Sequence, residues 1–173
     1  MRKLIKFIPL ILLAFICLFF LLFIFLEKDP NSPPSALIDK QLPEFSTVSL
    51  YNANIKLSSD NIETYTLINF FASWCTPCRA EHHLFFKIKD DYPNISLIGI
   101  SHKDNPEDSK EYLSEEGDPY SFVGLDQDGR IALEFGVFGL PETFIINNKG
   151  KIIFKHMGPL TEKILDDEIS KLF

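Results

Sequence analysis

The hydrophobic pattern divides the chain into three stretches. Phe7–Leu26 is an unbroken apolar run with no charge and only Pro9 as a breaker. Twenty such residues, wound as a helix, reach across about 30 Å of hydrocarbon. Arg2, Lys3 and Lys6 precede the run, and Glu27 and Asp29 follow it. That asymmetry places the N-terminus in the cytoplasm and the remainder outside. A cleaved signal peptide has an apolar core of about 7–15 residues and a small-residue cleavage site. This run is longer and ends Phe25-Leu26-Glu27-Lys28, so residues 1–26 are expected to be an uncleaved transmembrane anchor. Cys17, within it, reads as a small apolar residue in lipid. Residues 27–41, with Pro30, Pro33 and Pro34 among polar neighbours, have linker composition.

From Leu42 to Phe173 the pattern alternates between strand and helix periods. Phe45–Leu50 is a weak strand and Thr64–Phe71 a buried one. Pro77–Asp90 is a helix with Ala80, Leu84, Phe85 and Ile88 on its apolar face. Ile95–Ser101 is a second buried strand. Pro106–Glu116 is a polar helix closed by Gly117. Ser121–Leu125 is a short extended piece, and Asp128–Phe135 a short helix ended by Gly136. Thr143–Asn147 and Ile152–His156 form a hairpin over Asn148 and Gly150. Thr161–Leu172 is a final amphipathic helix. A βαβ start followed by a hairpin and a helix predicts one α/β domain, a mixed sheet with helices on both faces.

Charge narrows the partners. Setting aside the three basic residues of the leader leaves 14 Lys and Arg against 24 Asp and Glu, a balance of −10. Such acidity argues against nucleic acid and against tight binding to anionic lipid.

The chemistry lies at Cys75-Thr76-Pro77-Cys78, between the buried strand and the first helix. Pro77 suits a first helical turn, where a missing N–H costs nothing. A cysteine at a helix N-terminus faces unpaired N–H groups and the positive end of the helix dipole, both favouring thiolate. Cys75 is the expected exposed nucleophile, and Cys78, one turn inside, the resolving sulfur. Zinc would need two more ligands, and the only other cysteine is Cys17. His82 and His83 supply no second pair and read as surface or packing residues. The pair is therefore read as a redox dithiol, with no metal and no cofactor.

Trp74-Cys75-x-x-Cys78 after an apolar strand resembles the thioredoxin superfamily. Three further blocks narrow the resemblance. Arg79-Ala80-Glu81-His82 follows the pair, Gly136-Val137-Phe138-Gly139-Leu140-Pro141-Glu142-Thr143-Phe144 comes later, and Lys155-His156-Met157-Gly158-Pro159-Leu160-Thr161 lies near the end. Together, from about Leu42 onward, they resemble the membrane-anchored thiol:disulfide interchange proteins of cytochrome c maturation, the CcmG/DsbE family. The resemblance implies a thioredoxin-like fold with an insertion between Ile100 and Gly139, and a cis peptide bond before Pro141 beside the cysteines. It implies that the Leu140 backbone pairs with an extended substrate and that Trp74 is a lip of the substrate groove. Thioredoxin carries a buried Asp six residues before its first cysteine; Asn69 stands there, as is common in the cytochrome-maturation branch. Asn cannot titrate, so Glu81 and Glu142 become the candidate proton acceptors for Cys78.

The expected function is a thiol:disulfide reductant on the periplasmic side of the inner membrane. It would keep the haem-attachment cysteines of apocytochrome c, or a haem-ligation partner, reduced, and draw electrons from a membrane thiol carrier. A generic anchored thiol reductase is the near rival. A copper-binding chaperone and a peroxidase of the same superfamily are the more distant ones.

Overall fold

The computed structural model of the protein describes residues 8–26 and 37–172, which fall in two units. The first contributes one helix, α1 (Ile8–Leu26), apolar on every side. Among the described residues no helix is long and apolar enough to cross a membrane. The flanking residues Arg2, Lys3, Lys6, Glu27 and Asp29 and the prolines of the tether lie outside the described residues.

In the second unit, β-branched and aromatic runs become a sheet and the stretches between them become its helices. The order is β1 (Ser46–Val48), β2 (Lys56–Ser58), β3 (Thr66–Phe71), α2 (Thr76–Asp91), β4 (Ser96–His102), α3 (Pro106–Glu116), β5 (Phe122–Asp126), α4 (Arg130–Glu134), β6 (Glu142–Ile146), β7 (Ile152–Met157) and α5 (Glu162–Asp167). Strands β5-β4-β3-β6-β7 form one mixed sheet, and β1 and β2 a separate pair. β3, β4 and β5 run parallel, joined by the crossovers through α2 and α3, whereas β6 is antiparallel to β3 and to β7. All six residues of β3 are buried, as a strand covered on both faces must be.

Strand parity sorts the core. Leu67, Phe71 and Ile145 face one cluster with Leu84, Phe85 and Ile88 of α2, Tyr112 of α3 and Leu165 of α5. Ile68, Phe70, Phe144 and Ile146 face the other, with Ile131 and Ala132 of α4 and Phe135. The cysteine pair belongs to the first cluster.

Several elements depart from the pattern reading. Leu37–Gln41, placed in the tether by composition, joins the hairpin edge. Leu37 and Ile38 pack on the second cluster, and Asp39 N–H and Lys40 C=O bond to Ile152. β2 was not anticipated; three residues with one apolar side chain carry no period. The C-terminal helix breaks after Asp167 into a 3₁₀ turn over Ile169–Leu172, because Asp166, Asp167 and Glu168 oppose the negative end of the helix dipole. On α2, Ala80 is exposed, and the polar Glu81 and His82 take the inward positions.

Candidate active site

β3 delivers the chain to the C-terminal edge of the sheet, and α2 starts immediately beyond it. Cys75 is the N-cap of α2, extended at φ −87° and ψ 100°, and its Sγ accepts the Cys78 N–H at 3.2 Å. Pro77 lies in the first turn. Cys75 and Cys78 are joined by a disulfide, with Cα atoms 5.3 Å apart. Cys75 is 4% exposed and Cys78 2%, so the expected exposed nucleophile is covered almost as well as its partner. Both sulfurs sit within an apolar cluster. Trp74 is the exposed neighbour, at 62%.

The segment before Cys75 is held from two sides. Asp104, buried in the loop after β4, accepts the Ser73 N–H at 2.7 Å and the Ser73 hydroxyl at 2.9 Å. The same carboxylate accepts the Ser109 hydroxyl and the Asn105 N–H at the start of α3. Arg79 Nε donates to the Ser73 carbonyl at 3.3 Å, its guanidinium lies 4.6 Å from the centre of the Tyr112 ring, and it pairs with Glu116. Neither Asp104 nor Arg79 was anticipated as a site residue. Asp104 sits 31 positions from Ser73, and no local motif links them.

Glu81 occupies the helix position three beyond Cys78, hence the same face one turn on. Its side chain is directed into the core at 1% exposure. Oε1 accepts from Asn69 Nδ2 at 2.9 Å and Oε2 from the Leu160 N–H at 2.6 Å. Asn69 also donates to Thr143 Oγ1 and accepts from the Tyr120 hydroxyl. Gly99 makes this possible: a Cβ there would lie 2.9 Å from both Phe71 and Tyr120, whose rings stack at 5.4 Å over it. Among the described residues no cation pairs with Glu81. Burial pushes its carboxyl up from 4.5 to about 7, against the pull of the Leu160 and Asn69 hydrogen bonds. A carboxyl there changes charge near neutral pH, as a proton acceptor needs to. His82 is buried beside Tyr112, with Nε2 2.9 Å from the Gly117 carbonyl. Burial pushes its imidazole down, so it is a neutral packing residue, while His83 is exposed.

The Leu140–Pro141 bond is cis. Leu140 packs on the cluster that holds both cysteines and on the one across the sheet. Among the described residues nothing bonds to its backbone N–H or C=O. Glu142 begins β6 with the parity of Phe144 and Ile146, so it faces the α4 side, away from α2. Its Oε1 lies 2.6 Å from Lys155 Nζ, both side chains being almost fully covered. Its Oε2 accepts the Phe138 N–H at 3.0 Å. Burial pushes this carboxyl up, opposed by the Lys155 ammonium. The two candidate acceptors are thus separated: Glu81 on the cysteine face without a cation, Glu142 on the opposite face with one. Among the described residues no group of three His, Cys, Asp or Glu side chains is placed to hold a metal ion.

Residues 38–155 match the AhpC/TSA family. The chain is 34% identical to the thiol:disulfide interchange protein HelX of Rhodobacter capsulatus, covering 99% of this chain and 97% of that one. It is 37% identical to the thiol:disulfide interchange protein DsbE of Allochromatium vinosum, covering 91% and 87%. The fold is similar to that of the thioredoxin domain of a thiol-disulfide oxidoreductase from Bacteroides vulgatus, with a TM-score of 0.67 at 21% identity, over 80% of this chain and 99% of that one.

Proposed function

This chain belongs to the AhpC/TSA family and, within it, to the DsbE-type thiol:disulfide interchange proteins, and from that premise we propose that it is a reductant for cytochrome c assembly. Its client is a disulfide on the haem-attachment cysteines of apocytochrome c, or on a haem-ligation partner. The carrying observation is the Gly136–Phe144 block. The residues that resemble the cytochrome-maturation proteins form the loop with the cis bond, and that loop packs through Leu140 on the cluster holding both cysteines.

The reaction starts from the dithiol. Cys75, as thiolate, attacks one sulfur of the client disulfide; the other client sulfur leaves with the electron pair and takes a proton. The Cys78 N–H that now points at Cys75 Sγ and the start of α2 stabilise the attacking charge. Cys78 then gives its proton to Glu81 and attacks Cys75 Sγ, and the second client sulfur leaves as a thiol. The client gains two electrons and two protons, and the protein ends in the Cys75–Cys78 disulfide. A membrane dithiol carrier reverses the change. Trp74 and the free backbone edge at Leu140 frame the approach to Cys75.

The apolar sequence run Phe7–Leu26 and the basic residues before it support anchoring in the inner membrane, with the domain on the periplasmic side. That compartment is oxidising, so a pair serving as reductant must be recharged from across the membrane, and a tether keeps it within reach of a donor. The test is a Cys75→Ser strain. Loss of c-type cytochromes, rescue by small thiols, and a mainly reduced pair in acid-trapped wild-type cells are expected. A mainly oxidised pair with normal cytochromes would assign a different client, as for a generic anchored reductase.

A further inference from the structure

The buried Glu142–Lys155 pair is an ionic contact that exchange chemistry does not explain. A lone buried carboxylate beside thiols would be a proton acceptor, but this one has its charge matched at 2.6 Å and faces away from the cysteine helix. What both partners share is the loop before the cis bond. Glu142 Oε2 accepts the Phe138 N–H at 3.0 Å. Lys155 Nζ donates to the Gly136 carbonyl at 2.9 Å and lies 5.1 Å from the Phe144 ring centre and 5.6 Å from that of Phe138. At the far end, the Pro141 carbonyl accepts the Gly158 N–H at 2.9 Å. Gly136 turns the loop at φ 57°, and Phe138 at its tip is 89% exposed. The loop is therefore fixed at Gly136, Phe138 and Pro141, while the backbone of Leu140 between them is left unbonded.

We propose that Glu142 and Lys155 are positioning residues that clamp the Gly136–Pro141 loop, so that the free Leu140 backbone edge is held ready to pair with the client strand. The pair acts on client capture and not on proton transfer. Fixing a binding edge in advance removes an ordering cost from association, and loss of such placement is felt on the order of 10- to 100-fold. The clamp rests on the exchange reaction at Cys75 but not on which client is used.

The test follows single turnovers of the pre-reduced full-length protein with a synthetic disulfide-form Cys-x-x-Cys-His peptide. The signal is the fluorescence of Trp74, the sole tryptophan. Lys155→Met is expected to raise the half-saturating peptide concentration about tenfold or more and to speed exchange of the Phe138 amide hydrogen. The limiting rate and the pH midpoint of Cys75 alkylation should stay as in the wild type. Lys155→Arg, which keeps the charge, should restore capture. Should Lys155→Met not give a cooperative melt, Glu142→Asp replaces it: the charge remains, the carboxylate is drawn back from the loop, and the same readouts apply. Unchanged half-saturation in a folded variant overturns the clamp. So does a Glu142→Gln protein in which the pH profile of Cys78 resolution moves while capture does not. Cys75→Ser, run in parallel, tests the exchange reading separately: turnover surviving in that variant refutes the reaction, whatever the clamp does.

Discussion

Replacing Glu81 with Gln should remove one part of the protein's pH dependence, so that the stability difference between the two proteins changes sign between acid and alkaline pH. The carboxyl is held at about 7 against an ordinary 4.5, which at roughly 1.4 kcal/mol per unit amounts to about 3 kcal/mol. A raised folded value means the folded chain binds the Glu81 proton more tightly than the unfolded chain does. Its contribution to stability is therefore complete below pH 4.5 and is lost as pH rises through about 7. Gln removes that loss. It adds a cost, because the carboxylate accepts from two donors, Asn69 Nδ2 and the Leu160 N–H, and a Gln oxygen accepts only on one side. Asn69 can turn its amide over, with the Tyr120 and Thr143 hydroxyls reversing roles, so the cost sits near the low end of about 1–3 kcal/mol. Guanidinium unfolding of the oxidised full chain from pH 4.5 to 8 should show Glu81→Gln less stable by about 1 kcal/mol at the acid end. It should be more stable by about 2 kcal/mol at the alkaline end, the curves crossing between. His82, pushed down by burial, contributes with the opposite sense in both proteins and cancels in the difference. In single turnovers at pH 7 the same change should slow resolution of the mixed disulfide on the order of 100-fold. Parallel stability curves would show that Glu81 does not titrate near neutrality, and an unchanged resolution rate would remove it as the acceptor.

Three other expectations are independent of that one. Asp104→Ala strips the Ser73 N–H and hydroxyl of a charged acceptor, so urea melts should show a loss of about 2–3 kcal/mol; a neutral result would mean Ser73 is not held there. Cys75, capping α2, should alkylate with a midpoint clearly below about 8.5, and a midpoint at or above that value would count against thiolate stabilisation by the helix start. With α1 as an anchor, the full chain should stay with membranes through alkaline extraction and keep residues 1–26; a mature N-terminus beyond Leu26 would refute the anchor.

Local order was legible in the sequence where a period or a turn residue declared it. The helix Pro106–Glu116 and its stop at Gly117 were read residue for residue, and the Asn147–Gly150 turn follows from its residue types. The redox pair was legible because strand, Cys-x-x-Cys and helix are contiguous. Contacts between distant segments were not. Asp104 is one acid among many until the fold sets it under Ser73, and Lys155 is an alternating residue of a hairpin strand until β7 pairs with β6. Ala80 was read as inward because it is apolar. The fold turns α2 so that Glu81 takes that place, with Asn69 and the Leu160 N–H ready to bond it, and hydrophobic periodicity has no way of reporting a buried acid.

The same limit explains why the two carboxylates looked alike. Both follow a site residue in a family block, and both are buried, at 1% and 0% exposure. What separates them is parity and a counter-charge. Asn69 and Thr143 are paired across β3 and β6 and point to the α2 face; Glu142, one residue earlier, must point to the other face, because alternate residues of a strand do. Lys155 shares the register of Phe144 and so arrives on that same face. A carboxylate with an ammonium at 2.6 Å has the upward push of burial opposed by that charge and is suited to holding backbone groups. One buried with only neutral hydrogen-bond donors is held between charged and neutral near pH 7 and is suited to taking a proton from Cys78. On the proposed roles, the sheet divides two tasks between two similar residues, proton transfer on the cysteine face and loop placement on the reverse. The division follows from one step of strand register together with the single cation on β7 that the reverse face receives.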